Sequence, residues 1–418
     1  MKFGLRNIRL LLRSVGNPER KFSSIHVGGT NGKGSTSAFV ASIFTEAGYR
    51  TGLYTSPHLV RFTERIRING KEIPEDRVAE YVAALRPAIE RTQATFFEAT
   101  TCIAFQYFAD EQVDIAVIEV GLGGRLDSTN VIRPLVSVIT NVGLEHTEYL
   151  GNTIPKIARE KAGIIKRGVP CVTASNDPAV VKVLRSIAKR RKSRLETVER
   201  LITAGQLGNV RGCVVARFRS QRFTIARVKL DLAGAHQLVN AATALAALEV
   251  TSETNSLPPG FRPLDADAVR RGLQNVRRNT GLRGRMEKFG SKILLDVAHN
   301  PDGVRTLVES LGTRKGVRYV VVFGVLKDKD YRTMCALLAP ILQHAVTVRP
   351  STPRGLPASV LAREFRRLGV PASSERSVRA GLTQALHLSG RGMGILVTGS
   401  HYVVGDALVA LTNMSARA

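Results

Sequence analysis

Near the amino terminus, Ile25-His26-Val27-Gly28-Gly29-Thr30-Asn31-Gly32-Lys33-Gly34-Ser35-Thr36 combines glycines, a lysine and hydroxyls where a β-type run gives way to a helical one. Glycines let the backbone curl so that successive N–H groups point inward, and the helix start adds a positive dipole end. Lys33 supplies a mobile cation for outer phosphates, and Ser35 or Thr36 can offer an oxygen to magnesium. The general nucleotide-loop spacing is not met. The first glycine falls one residue late, and Gly34 separates Lys33 from Ser35. The stretch therefore reads as a triphosphate cradle of a variant class.

Other polar groups stand where buried strands should end. Glu119 closes the apolar run Val113-Asp114-Ile115-Ala116-Val117-Ile118-Glu119-Val120, ahead of Gly121-Leu122-Gly123-Gly124. Such an acid can hold magnesium near phosphates, or can simply cap the next loop. His146, in Asn141-Val142-Gly143-Leu144-Glu145-His146, follows the next β-rich run. Imidazole is an unusual ligand for magnesium, and a lone histidine defaults to a hydrogen-bonded structural role. Expected at one sheet edge with the glycine loop, Glu119 and His146 together favour a metal site. Lys161, in Ala158-Arg159-Glu160-Lys161-Ala162-Gly163-Ile164-Ile165-Lys166, reads on its own as a solvated helix lysine.

Towards the carboxyl end, Asp296-Val297-Ala298-His299-Asn300-Pro301-Asp302-Gly303 sets an acid, an imidazole and an amide at a strand-to-helix turn. Asn300 as a helix cap with Pro301 at the first helical position explains that pair but does not require Asp296 or His299. Gly324-Val325-Leu326-Lys327-Asp328-Lys329-Asp330 and Thr398-Gly399-Ser400-His401-Tyr402 are comparable turns. This part of the chain should also face a ligand.

These groups need a sheet to hold them. β-rich runs at 22–27, 51–54, 113–120 and 135–140 alternate with helix-like segments, the first over 35–47 and ended by Gly48. That alternation predicts an α/β fold with a largely parallel sheet, whose ligands lie beyond the carboxyl ends of strands. Short alternating strands over 210–232 suggest an antiparallel patch, followed by an alanine-rich helix over 237–248. Residues 256–263 loop out, a short helix runs to Asn275, and 277–284 lack periodicity and read as an interdomain linker. Strands at 293–296, 319–323, 345–348 and 395–397 then predict a smaller doubly wound domain. A length of 418 residues fits two domains, set at 1–280 and 281–418.

Composition narrows the class. At 44% hydrophobic and 23% charged residues the chain is of soluble globular type. No apolar run reaches the ~20 residues of a membrane helix. The opening Met1-Lys2-Phe3-Gly4-Leu5-Arg6-Asn7-Ile8-Arg9-Leu10 alternates arginine with apolar residues as a helix would, unlike a signal peptide. Cys102, Cys171, Cys213 and Cys335 lack paired spacing, which suggests neither zinc nor disulfides and fits a reducing cytoplasm. The net charge of +27 would suit nucleic acid, but the basic residues are spread along the chain. The densest run, Lys189-Arg190-Arg191-Lys192-Ser193-Arg194, ends a helix-like segment and complements its dipole. Anionic small substrates, or a host with generally basic proteins, account for the charge without nucleic acid.

Taken in order, the motifs resemble the folylpolyglutamate synthase and dihydrofolate synthase family of the Mur ligase superfamily. Gly29-Thr30-Asn31-Gly32-Lys33-Gly34-Ser35 resembles its phosphate loop, including the extra glycine. Tyr54-Thr55-Ser56-Pro57-His58-Leu59 with Phe62-Thr63-Glu64-Arg65-Ile66 resembles its pterin-side loop. Glu119-Val120-Gly121-Leu122-Gly123-Gly124 with Asp127-Ser128-Thr129-Asn130 resembles its central acidic segment. Gly234-Ala235-His236-Gln237 with Asn240, the Arg285 region, 296–303 and the Lys-Asp-Lys-Asp turn complete a match over essentially the whole chain. The resemblance implies a P-loop-type, mainly parallel ATP-binding domain followed by a smaller Rossmann-like glutamate-ligase domain.

It also implies an activity. ATP would phosphorylate a substrate carboxylate, and the amine of L-glutamate would attack the acyl phosphate to leave an amide, ADP and phosphate. By that resemblance Gly29, Thr30, Asn31, Gly32, Lys33, Gly34, Ser35 and Thr36 cradle ATP, with Asn240, Arg285 and Asp296 as further nucleotide contacts. Ser35, Glu119 and His146 would hold Mg2+, and Lys161 matches a lysine that is often carbamylated, able then to support a second magnesium. Lys33, Lys161 and His299 are the candidate catalytic residues. Ser56, Pro57, His58, Phe62 and Arg65 would bind the pterin or folate, and Ser400 the incoming glutamate.

Two departures stand out. Glu145 replaces an aspartate common in the family, and Gly281-Leu282-Arg283-Gly284-Arg285 replaces Trp-Pro-Gly-Arg. Either Arg283 or Arg285 could then make the phosphate contact; Arg285 is favoured because Met286-Glu287 follows it in family fashion. The expected partners are small molecules (ATP, L-glutamate, and dihydropteroate or folates), not membrane or nucleic acid, for a cytoplasmic monomer. A bifunctional enzyme is preferred to a folate-only chain extender. A peptidoglycan-precursor ligase would lack Gly34 and the Ser-Pro-His-Leu loop, and a nucleotide- or RNA-binding scaffold should have lost Lys33, Glu119 or His146.

Overall fold

A computed structural model describes residues 4–252, 264–312, 318–390 and 392–415; the loop expected at 256–263 and Met1-Lys2-Phe3 lie outside the described residues. Two compact units emerge, one made of Met1–Pro57, Phe62–Asp231 and Gln237–Leu282, the other of His58–Arg61, Leu232–His236 and Arg283–Ala418.

The first unit is built on an eight-stranded sheet of β1 (Ser23–Gly28), β2 (Thr51–Tyr54), β3 (Ile66–Ile68), β4 (Lys71–Glu72), β5 (Ile115–Glu119), β6 (Val136–Ile139), β7 (Cys171–Thr173) and β8 (Leu195–Thr197). Their order is β4-β3-β2-β5-β1-β6-β7-β8, antiparallel only where β3 meets β2 and β4. Inner parallel strands are covered on both faces, so they need continuous apolar text. Ile115–Glu119 accordingly is buried throughout. β1 lies between β5 and β6, with Val27 opposite Glu119 and Gly28 opposite Ile139. The glycine loop thus leaves β1 between the carboxyl ends of two neighbours.

The helix Lys33–Glu46 follows that loop and is buried along most of its length, because Gln237–Ser252 and Ala266–Gln274 pack against it. It stops at Gly48, whose φ of +86° lets Tyr49 N donate back to Phe44 O at 3.0 Å.

Three local expectations need correction. The antiparallel patch begins earlier, with β9 (Thr203–Val210) pairing β10 (Cys213–Arg219), and β11 (Thr224–Ala233) beside β10. β9 is largely exposed, so it carries no apolar alternation to read. Much of the expected linker is helical: Val276–Thr280 starts with Arg277 N donating to Asp231 Oδ2 at 2.6 Å and ends at Gly281, φ +64°. The helix bearing Lys161 is Ile154–Lys161; it tightens into a 3₁₀ turn over Ala162–Ile164, and Lys166 lies beyond both.

The second unit holds β12 (Glu287–Phe289), β13 (Ile293–Leu295), β14 (Tyr319–Phe323), β15 (Leu342–Val348), β16 (Ala372–Glu375) and β17 (Gly394–Thr398). Their order is β12-β13-β17-β14-β15-β16, parallel except at β12. Val320, Val322, Val346 and Val397 form its core, against which Leu59 packs.

Candidate active site

The glycine loop is held by the segment that follows β6. Thr140 Oγ1 donates to Asn31 O at 2.7 Å, and Thr30 N donates to Asn141 O at 2.9 Å. Asn31 N donates to Asn141 Oδ1 at 2.7 Å, and Gly143 N to Thr30 Oγ1 at 3.0 Å. Glycine is required at two points. Gly29 has φ +144° and Gly32 φ +83°; a Cβ would overlap Thr140 Oγ1 at the first and Asn240 Oδ1 at the second. Gly32→Ala is therefore expected to cost ~1–2 kcal/mol of stability. It should also weaken ADP binding about tenfold by pushing Asn240 away from the loop, a loss of ~1.4 kcal/mol. Thermal melts and an ADP titration read the two effects.

Lys33 opens the helix, and its Nζ donates to Gly29 O at 3.1 Å and Thr30 O at 2.9 Å. Lys161 Nζ, arriving from another helix, donates to the same Gly29 O at 2.7 Å. Lys161 is only 3% exposed, so its reading as a solvated helix lysine is overturned. Burial, and then the charge of Lys33, lower it to about 7, with Glu145 pulling the other way.

Glu119, buried at the end of β5, accepts from Ser56 N at 3.1 Å. His146 precedes the short helix Thr147–Leu150 with φ +50°, and its Nε2 lies 3.7 Å from Glu145 Oε1. Ser35 Oγ is 3.5 Å from Gln237 Nε2, and Thr36 Oγ1 is buried without a protein partner. Among the described residues no group of three or more His, Cys, Asp or Glu side chains comes together to hold a metal. Magnesium keeps several waters and takes one or two carboxylates plus substrate phosphates. One carboxylate beside a loop with an unpartnered buried hydroxyl fits that habit. Asn240 borders Gly32 and donates from Nδ2 to Gln237 Oε1 at 3.0 Å.

Phe62 and Arg65 meet at the helix Phe96–Asp110, whose start is fixed by a capping box of Thr95 and Glu98. The Phe62 ring lies 5.9 Å from that of Phe96, and the Arg65 guanidinium 5.5 Å above it. Phe96 is 62% exposed and presents an aromatic face. Ser56 and Pro57 belong to the same unit, whereas His58 falls in the second.

In the second unit, Asp296 accepts from Met286 N and Ala298 N, both at 2.9 Å. Burial raises its pKa, opposed by those bonds and by the charge of Arg285. His299 Nδ1 lies 2.9 Å from Val297 O, an acceptor, so Nδ1 carries the proton. Its ring is 5.2 Å from that of His401. Arg283 is engaged by Glu287 at 2.6 Å, while Arg285 is the arginine beside Asp296 and His236. Ser400 Oγ accepts from Val403 N at 3.2 Å, at the start of the last helix. Asn300 caps Pro301–Leu311 through Gly303 N at 2.8 Å. The 324–330 turn spends its acids on structure: Asp330 caps Tyr331–Leu338, and Asp328 pairs with Arg354 at 2.8 Å.

Sequence reasoning leaves Thr140, Asn141, Gln237 and Phe96 out of the site. A strand end or helix start is their only local mark; sheet order and helix packing bring the first three to the loop.

Two family models match the chain: the Mur ligase middle domain over residues 27–248 and the Mur ligase, glutamate ligase domain over residues 284–401. The Bacillus subtilis (strain 168) dihydrofolate synthase/folylpolyglutamate synthase is 38% identical over 364 residues, 83% of this chain and 80% of the relative. The Mycobacterium tuberculosis folylpolyglutamate synthase solved with ADP and AMPPCP superposes with a TM-score of 0.89 at 33% identity, covering 98% of this chain and 95% of the other. Escherichia coli FolC, solved with DHPP and ADP, gives 0.88 at 29% identity over 100% of this chain and 95% of the other. With a glycine loop carrying Gly34, two lysines on one loop carbonyl and these matches along nearly its whole length, the chain belongs to the dihydrofolate synthase/folylpolyglutamate synthase family of Mur ligases.

Proposed function

We propose that this chain is an ATP-dependent amide ligase that joins L-glutamate to dihydropteroate and to reduced folates. The observation that carries this reading is the convergence of Lys33 and Lys161 on Gly29 O, beside Glu119, at the carboxyl edge of the sheet. A carboxylate oxygen attacks the terminal phosphorus of ATP and ADP leaves. The amine of glutamate then attacks the acyl carbon, phosphate departs, and the amine loses its proton. Such transfers need positioning and charge neutralisation more than covalent help from the protein.

Within that scheme the loop N–H groups from Gly29 to Thr36 and the Lys33 ammonium hold the phosphate chain. Ser35, Glu119 and His146 would hold magnesium, which would neutralise phosphate charge and polarise the transferring group. Lys161, as a carbamate, would add a second anionic ligand. The Phe62, Arg65 and Phe96 surface, with Ser56, Pro57 and His58, takes the pterin side. In the second unit Arg285 and Asp296 serve the nucleotide, His299 the reacting groups, and Ser400 the glutamate. Asn240 borders the loop on the nucleotide side. The names of the relatives and the glutamate ligase domain support this assignment. A cytoplasmic, monomeric enzyme is the proposed working form; no described helix is long and apolar enough to cross a membrane.

The test is a substrate panel. Purified protein with ATP, magnesium and L-glutamate should release phosphate when dihydropteroate is added, and again with tetrahydrofolate, but not without a pterin acid. Turnover with tetrahydrofolate alone would restrict the enzyme to folate chain extension. Turnover with neither would overturn the ligase assignment.

A further inference from the structure

The first unit also carries a cavity of about 790 Å³, bounded by the helix Arg6–Ser14, residues 125–133, residues 159–167 and the end of the helix Pro178–Arg190. Half of its lining residues are arginine or lysine, and none is aspartate or glutamate. The whole chain has 61 basic and 34 acidic residues, so a basic surface is general; this cavity differs in holding a partly buried lysine, Lys166, among arginines from separate segments. Only Arg125 is paired with a carboxylate among the described residues, to Glu160 at 3.0 Å. Lys166 donates to Asn130 O at 2.7 Å, Arg133 to Arg167 O at 3.1 Å and Arg190 to Ser186 Oγ at 2.9 Å, all neutral oxygens. Burial, and then the charges of Arg9, Arg191 and Arg133, lower Lys166 to about 8. Guanidinium groups from three separate segments therefore act on one partly buried amine with no carboxylate among them. Gathering like charges in this way is unfavourable to the folded state until an anion neutralises them.

We propose that this cavity binds a small polyanion carrying two or more phosphate or carboxylate groups. Guanidinium forks recognise either group bidentately, and an ammonium adds a point charge. Arg9, Arg133 and Arg191 come from different elements, so one bound group would neutralise only part of the field, whereas an oligoanion reaches several of them. The volume matches that of small-ligand pockets, which run to roughly 300–1,000 Å³.

Calorimetric titration of the full chain at low ionic strength tests this, with inorganic tripolyphosphate in one arm and tricarballylate in the other. At least one should bind, and the arm that binds identifies phosphate or carboxylate as the recognised group. The double variant R133Q/K166M is expected to weaken that binding at least tenfold. K182Q/R185Q removes the same charge from residues lining a different concavity and should leave affinity within about twofold. Lys33→Ala should also leave it in place, separating this site from the glycine loop. Equal weakening by the two double variants would mean diffuse charge attraction and would overturn the proposal. Loss of all binding in Lys33→Ala, or no binding in either arm, would do the same. Melting curves check that each variant is folded, and R9Q, on an exposed helix face, repeats the test without touching Lys166.

Discussion

Lys33→Ala is expected to lower kcat by at least ~10²–10³-fold, the scale set by removing one preorganised charge-stabilising donor from an active site. The structure suggests why little else would take over. Lys33 Nζ is pinned across Gly29 O and Thr30 O, so its charge already stands at the loop before any phosphate arrives. Lys161 deputises poorly, because burial and the Lys33 charge lower its pKa to about 7, so that it carries only part of a charge near pH 7. Folding should suffer little. Two hydrogen bonds worth about 1 kcal/mol each are lost, but so is the repulsion between two amines on one carbonyl. Phosphate release measured beside a thermal melt separates the effects; near-normal turnover in a folded variant would remove Lys33 from the mechanism. Lys33→Arg keeps the charge but not the compact ammonium, and should recover only part of the rate.

Lys161→Met is expected to cost about 10²-fold or more in kcat while leaving ADP affinity within a few-fold. The amine is buried and shares Gly29 O with Lys33, an arrangement that penalises a second cation there. Addition of the neutral amine to CO₂ forms an N–C bond and releases a proton, turning that amine into an anionic carbamate that Lys33 attracts. Decarbonated buffer should therefore lower wild-type activity, and bicarbonate should restore it, with a carbamate signal from ¹³C-bicarbonate by NMR. Insensitivity to bicarbonate together with no such signal would sink the carbamate, leaving the free amine to explain the variant.

The same lysine leaves a signature in the stability of the unliganded, unmodified protein. Its pKa is lowered in the folded state from 10.5 to about 7, so between those values the unfolded chain binds more protons. Stability therefore rises with pH across that window, and the full cost of burying the charge is felt below it. Lys161→Met should lose this increment in denaturant titrations from pH 7 to 10; an unchanged slope would mean that Lys161 is not buried as described.

Much of this could be read from local text. The glycine loop, the apolar strands ending at Glu119 and before Asn141, and the Asn300-Pro301 cap all depend on neighbours within a few residues, where glycine, proline and apolar runs constrain the backbone directly. The exposed strand β9 and the helix Val276–Thr280 escaped because neither carries apolar periodicity; one is exposed, and the other is started by Asp231.

By itself, the sequence determined the α/β class, the glycine loop and, through the order of its motifs, the family. Tertiary structure alone decided that Lys161 is a buried partner of the glycine loop rather than a solvated helix lysine, and that Thr140 and Asn141 hold the loop. Those outcomes depend on sheet order and on side chains more than a hundred residues apart in the chain. Burial and charge proximity are properties of that packing, and no local pattern encodes them.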